Sequence, residues 1–182
     1  MLGVTTIDVL VNIGCSLTAS LVFLFIVLIL FRPYIKISPF VCKSASQFEG
    51  EKTVYFIKIV NHSWFTAYDI KVELQVLEKY AIPPKGMMNI RLTPLTLVSD
   101  YLSDLAGYRP QFLRKEADHC IRFRTEETLD KIVVDDFKSV EVKVTLRHGL
   151  TGLVKVYSQE YSDASQIKNG KFTYGTSFGV LN

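Results

Sequence analysis

The stretch DIKVELQVL at residues 69–77 sets Ile70, Val72, Leu74 and Val76 on one side and Lys71, Glu73 and Gln75 on the other. Successive side chains of an extended chain point to opposite faces, so a period of two marks a strand with one face in a core and one in water. VEVKVTL (140–146) repeats the pattern with Val140, Val142, Val144 and Leu146 inward, and Tyr55, Ile57 and Ile59 share one side of TVYFIKIV (53–60). Such half-buried strands belong to antiparallel sheets.

Turn signals separate these runs. Arg147-His148-Gly149-Leu150-Thr151-Gly152 lies between VEVKVTL and LVKVY and predicts a hairpin with a glycine-containing loop. Asn169-Gly170 is the dipeptide most favoured in type I′ turns and predicts that SQIK and KFTYG pair as a hairpin. Pro83-Pro84-Lys85-Gly86 ends the strand that begins at DIKVELQVL. Strands are expected at 34–42, 52–61, 67–78, 88–93, 119–124, 138–147, 153–161 and 171–178, with a short helical turn around 99–105 and Asp135-Asp136 at a turn. The expected fold is mainly β: an antiparallel β-sandwich or a small β-barrel.

Ahead of this domain runs VLVNIGCSLTASLVFLFIVLILF (9–31), with no charged residue. As a helix it extends about 34 Å, against a hydrocarbon core of about 30 Å. Only a helix satisfies every backbone amide internally at that depth, so one transmembrane helix is expected over 9–31. It follows a short tail (1–8) and precedes the β-domain (32–182). No Lys or Arg precedes the run and no small-residue cleavage site follows it, which favours an anchor over a cleavable leader. Arg32, Lys36 and Lys43 flank its C-terminal side, so the N-terminus is expected outside and the domain in the cytoplasm. Asn12, Ser16 and Ser20 lie along one helix face with Cys15 and Ala19 beside them. That stripe has two readings: a helix-packing face, or hydroxyls bonded to their own backbone.

All 21 basic residues and all but one of the 18 acidic ones follow the apolar run, giving the domain a net charge of +4. That mild excess suits an anionic inner leaflet and calls for no nucleic-acid partner. Cys15, Cys42 and Cys120 show no C-x-x-C or Cys/His ligand spacing, so no metal is expected. In a cytoplasmic domain Cys42 and Cys120 are buried thiols; in an exported one they could pair. Asn61-His62-Ser63 matches a glycosylation sequon that has no meaning on the cytoplasmic side.

A strand ending in Val60-Asn61, a short polar loop, then Ala67, Asp69, Ile70, Val72 and Leu74 resembles the second and third strands of immunoglobulin-like β-sandwich modules of the CARDB type. The resemblance covers about twenty residues. It implies an immunoglobulin-like sandwich and a binding or scaffolding role. Trp64-Phe65 departs from it, standing where such modules carry small or polar loop residues.

No motif carries catalysis. Glu126-Glu127 and Asp135-Asp136 read as solvated turns, and a nucleophile pair of Cys120 with His62 or His148 has no local signature. Neither catalytic residues nor a cofactor is expected. Arg109, Arg114, Lys115, Arg122 and Arg124, interleaved with Tyr108, Phe112 and Phe123, form either an anion-binding surface or an ordinary wet strand face. Trp64 and Phe65 either cap the sandwich or meet a partner. The expected function is a non-enzymatic, single-pass membrane protein whose β-domain binds a partner, with the bilayer and a protein or a second copy as its contacts. The alternative is a membrane effector whose β-domain senses a small anionic ligand and whose helix oligomerises.

Overall fold

The computed structural model describes residues 6–30, 34–45, 52–82, 87–109 and 117–181. The chain divides into two units, Met1–Arg32 and Pro33–Asn182.

The first unit is one helix, α1 (Thr6–Leu30). It starts ahead of the charge-free run, with Asp8 in its first turn where the helix dipole favours an acid. Its segment Ile7–Leu28 is long and apolar enough to cross a membrane. The Thr18 hydroxyl donates to the Gly14 carbonyl (2.8 Å) and the Ser20 hydroxyl to the Ser16 carbonyl (2.9 Å). Two of the helix's hydroxyls are thus satisfied within its own backbone.

The second unit runs, in order, β1 (Ile35–Ile37), β2 (Val41–Ala45), β3 (Thr53–Asn61), β4 (Ala67–Ile82), β5 (Met87–Leu95), β6 (Tyr101–Leu105), β7 (Cys120–Thr125), α2 (Leu129–Val133), β8 (Lys138–His148), β9 (Val154–Tyr161), β10 (Ile167–Asn169), β11 (Lys171–Phe172) and β12 (Val180–Leu181). It is mainly β, with antiparallel sheets in a sandwich-like arrangement. In the first sheet β3 is central: β7 pairs along one edge, while β1 and β2 share the other, and β10 joins β2 in parallel. In the second, β4 pairs with β8 on one side and with β6 and β5 on the other, and β9 closes the β8 edge.

The core draws on both sheets. Ile35, Val41, Tyr55, Ile57, Ile59 and Phe123 from the first meet Ile70, Val72, Leu74, Val140, Val142, Val144 and Leu146 from the second. Burying each large aliphatic side chain is worth roughly 1.5–3 kcal/mol. Leu129 and Val133 of α2 add to this core, and the Tyr161 hydroxyl ties β9 to the Ser38 carbonyl at 2.7 Å.

Several expected elements came out differently. The strand expected at 34–42 is broken between β1 and β2, because Pro39 has no N–H to give a ladder. Ser38 fills the gap, its N–H donating to the Lys58 carbonyl at 2.8 Å and its hydroxyl accepting from the Lys58 N–H. The helical turn expected at 99–105 is instead β6, held on the first half of β4. Asn169-Gly170 does not close a hairpin. The Gly170 N–H goes to the Lys43 carbonyl (2.9 Å), β10 stays on β2, and β11 turns away to pair with β12. Only Lys171–Phe172 of the strand expected at 171–178 is extended in a ladder. The 147–152 hairpin forms as expected, and Asp135-Asp136 lies in a turn.

Candidate anion-binding site

β3 is covered on both faces. Tyr55, Ile57 and Ile59 face the sandwich core, and the opposite side carries Val54, Lys58 and Val60, all buried as well. The second cover comes from the C-terminal segment that includes β11 and β12. Phe172 is buried there and stacks on Phe40 with ring centres 5.6 Å apart. Lys168 sits 4.1 Å above the Phe40 ring.

Lys58 lies beneath this cover, 2% exposed. Its ammonium donates to the Thr173 and Ser177 carbonyls, each at 2.7 Å. Burial pushes the ammonium below the usual lysine range, and the Arg122 guanidinium adds to that. Arg122 is the direct cross-strand partner of Lys58, so both side chains rise from the same face of the sheet. Between them opens a cavity of about 410 Å³, walled also by Cys120, Phe172, Thr173, Tyr174 and Gly175.

Arg124 shares that face, opposite Phe56, and is joined to Glu126 at 3.2 Å. Of the five cations singled out in the sequence, the fold therefore brings Arg122 and Arg124 onto one surface. Arg109 stands exposed in the loop after β6, next to Tyr108, and Arg114 and Lys115 lie outside the described residues. Lys58 was missed by the sequence reading, which took Tyr55, Ile57 and Ile59 as the only inward side. The available signal was that TVYFIKIV is apolar at Val54, Phe56 and Val60 too, the mark of a strand covered on both faces.

Both domain thiols are held in the protonated form. Burial pushes Cys42 up to about 11 and also raises Cys120, so neither is a thiolate at neutral pH. They are free, and β3 runs between the strands that carry them. Two strand spacings of about 4.8 Å separate those strands, beyond the reach of a disulfide. That geometry does not suit the Cys42–Cys120 pairing weighed for an exported domain. Among the described residues no group of His, Cys, Asp and Glu is placed to hold a metal.

The loop that leaves β3 is built around Asn61, which is fully buried. Its amide nitrogen donates to the carbonyls of Phe65 (3.0 Å), Leu105 (3.2 Å) and Ala106 (3.0 Å), and its oxygen accepts from the Ser63 N–H and hydroxyl. Gly107 passes so close that a Cβ there would sit 2.2 Å from the Trp64 carbonyl oxygen. The aromatic pair is divided by this loop. Phe65 turns in and meets the His148 ring edge-on at 5.4 Å, whereas Trp64 points out, 81% exposed. Around the same end, His62 stacks with Tyr108 (6.1 Å) and Tyr108 meets His119 edge-on (5.4 Å). Burial lowers the pKa of His62, His119 and His148.

On α1, Asn12, Ser16 and Ser20 line one shallow groove with Val9, Ile13 and Leu17. Cys15 and Ala19 lie on the same helix outside that groove.

No protein-family model matches the chain, and no curated protein matches it significantly. Among solved structures, a protein of Bordetella pertussis described as ApaA is similar over 71% of this chain and 91% of its own, at 8% identity and a TM-score of 0.37. A second X-ray structure, a structural-genomics target, is similar over 78% of this chain and 95% of its own, at 8% identity and a TM-score of 0.34. At scores this low neither likeness bears on what the chain does.

Proposed function

We propose that this chain is a single-pass membrane protein whose β-sandwich is a non-enzymatic binding module held at the cytoplasmic face of the bilayer. The observation that carries the reading is α1: its Ile7–Leu28 segment is long and apolar enough to cross a membrane, and none of it is buried. An apolar surface of that size left in water is unfavourable, and a bilayer removes it. The lysines and arginine after the span favour a cytoplasmic domain. The outward-pointing Trp64 supplies an aromatic contact for a protein partner or a second copy. The likeness to CARDB-type modules belongs to the same proposal, supported by the burial of Val60, Ala67, Ile70, Val72 and Leu74. The test is extraction and topology. Alkaline carbonate should leave the protein in the membrane pellet, and protease added to intact cells should leave the domain whole. Release by carbonate, or cleavage of the domain from outside, refutes it.

A second reading, in which the β-domain senses a small anion and the helix assembles, is favoured by the cavity between Lys58 and Arg122. In that scheme Asn12→Leu weakens oligomers in detergent; unchanged oligomers count against it.

A further inference from the structure

We infer that the cavity between Lys58 and Arg122 binds a phosphate group. This rests on the anion-sensing reading and gives it a site and a chemistry.

The argument begins with uncompensated charge. Lys58 and Arg122 stand directly opposite each other on neighbouring strands, an arrangement that like charges destabilise. Among the described residues neither has a carboxylate partner. A buried ammonium without a counter-charge is expensive. Two carbonyls take two of its three N–H donors, leaving one. They satisfy hydrogen bonding and supply no negative charge. An anion in the cavity supplies both.

The walls specify which anion. Arg122 is exposed at the cavity's edge, where its planar fork can take two oxygens of one group. Lys58 contributes a point charge at the buried end. That pairing suits a tetrahedral oxyanion better than a planar one, since the donors come from two directions. About 410 Å³ lies within the range of small-molecule sites. Tyr174 is mostly exposed at the rim, its hydroxyl accepting from the Ala117 N–H, which sets an aromatic side chain beside the entrance.

Calorimetric titration of the full-length protein in detergent micelles tests this, with inorganic phosphate and a nucleoside monophosphate as probes and the uncharged nucleoside as control. The monophosphate should bind saturably and the nucleoside should not. Arg122→Gln should weaken binding about tenfold or more, the usual weight of a charge-assisted bidentate contact. Arg124→Gln should change it by less than about twofold, because that guanidinium is joined to Glu126. Equal affinity for the two probes identifies free phosphate as the occupant, and tighter binding of the monophosphate identifies a monoester. Saturable binding that Arg122→Gln leaves unchanged overturns this site while leaving anion sensing in place. Absence of saturable binding by either probe overturns both.

Discussion

Asn61→Asp replaces one atom in the middle of the loop clamp and keeps its shape. The amide nitrogen it removes donates to three carbonyls, those of Phe65, Leu105 and Ala106. A carboxylate has no hydrogen to offer them and sets a negative oxygen against three others. Each lost hydrogen bond is worth about 0.5–1.5 kcal/mol net, and a carbonyl left buried and unpaired adds about 1–3 kcal/mol, although the Phe65 carbonyl keeps the Ser63 hydroxyl as a donor. The summed cost is about 3–7 kcal/mol, a large part of the roughly 5–15 kcal/mol that holds a domain together. At about 2–4 °C per kcal/mol for a domain of this size, the melting temperature should fall on the order of 10 °C. The assay is thermal unfolding of full-length protein in detergent, followed by far-UV circular dichroism at several pH values. Burial and the facing carbonyls raise the new carboxyl's folded pKa above its unfolded value of about 3.9. The deficit is therefore greatest above the folded pKa and shrinks as pH falls toward the unfolded one. A melting point within about 3 °C of wild type at neutral pH, or a deficit that grows on acidification, would refute this account of the clamp.

His119 and His148 are buried and His62 half-buried, and desolvation lowers all three pKa values below the free value of about 6.5. In the window below that value the unfolded chain binds more protons, so stability should fall as pH drops from about 7 to 5, by up to about 1.4 kcal/mol per unit for each histidine. A melting point flat across that window in wild type would count against it. Gly170→Ala should loosen the C-terminal cover, since its φ is +123° and a Cβ would meet the Leu181 carbonyl oxygen at 2.2 Å. Faster amide exchange confined to β10–β12 is the expected signature. Trp64→Ala should leave the melting point within about 2 °C, as an exposed side chain contributes little to folding. Its partner capture by in-membrane crosslinking should drop; unchanged capture removes Trp64 from the binding surface.

How much of this was legible depended on how far each strand's neighbours lay from it in sequence. β4 and β8 announce themselves, because one face of each meets the core and the other meets water, which writes a period of two into the residues. β3 obeys a different rule. It is covered on both sides, and its second cover is a segment more than a hundred residues away with no periodicity of its own, KFTYGTSFGVLN. Lys58 therefore read as one more wet side chain, and the cavity beside it could not be found from the arginines alone. The same long-range capture decided Gly170. Asn169-Gly170 has the local chemistry of a tight turn, yet the Lys43 carbonyl on β2 takes the Gly170 N–H and the chain leaves the sheet. β6 shows the reverse error. Leu102 and Leu105, three apart, imitate a helical stripe, but both pair along β4 in one unbroken register, Leu102 opposite Ile70 and Leu105 opposite Ala67, on the edge that β8 leaves open. Asp69 adopts φ +51° at the bulge between Tyr68 and Lys71, a left-handed conformation that aspartate tolerates better than most residues, and its carboxylate accepts from the Tyr101 hydroxyl at 3.2 Å. The bulge thus belongs to the β4–β8 ladder alone, while β6 follows the opposite edge of β4 straight past it.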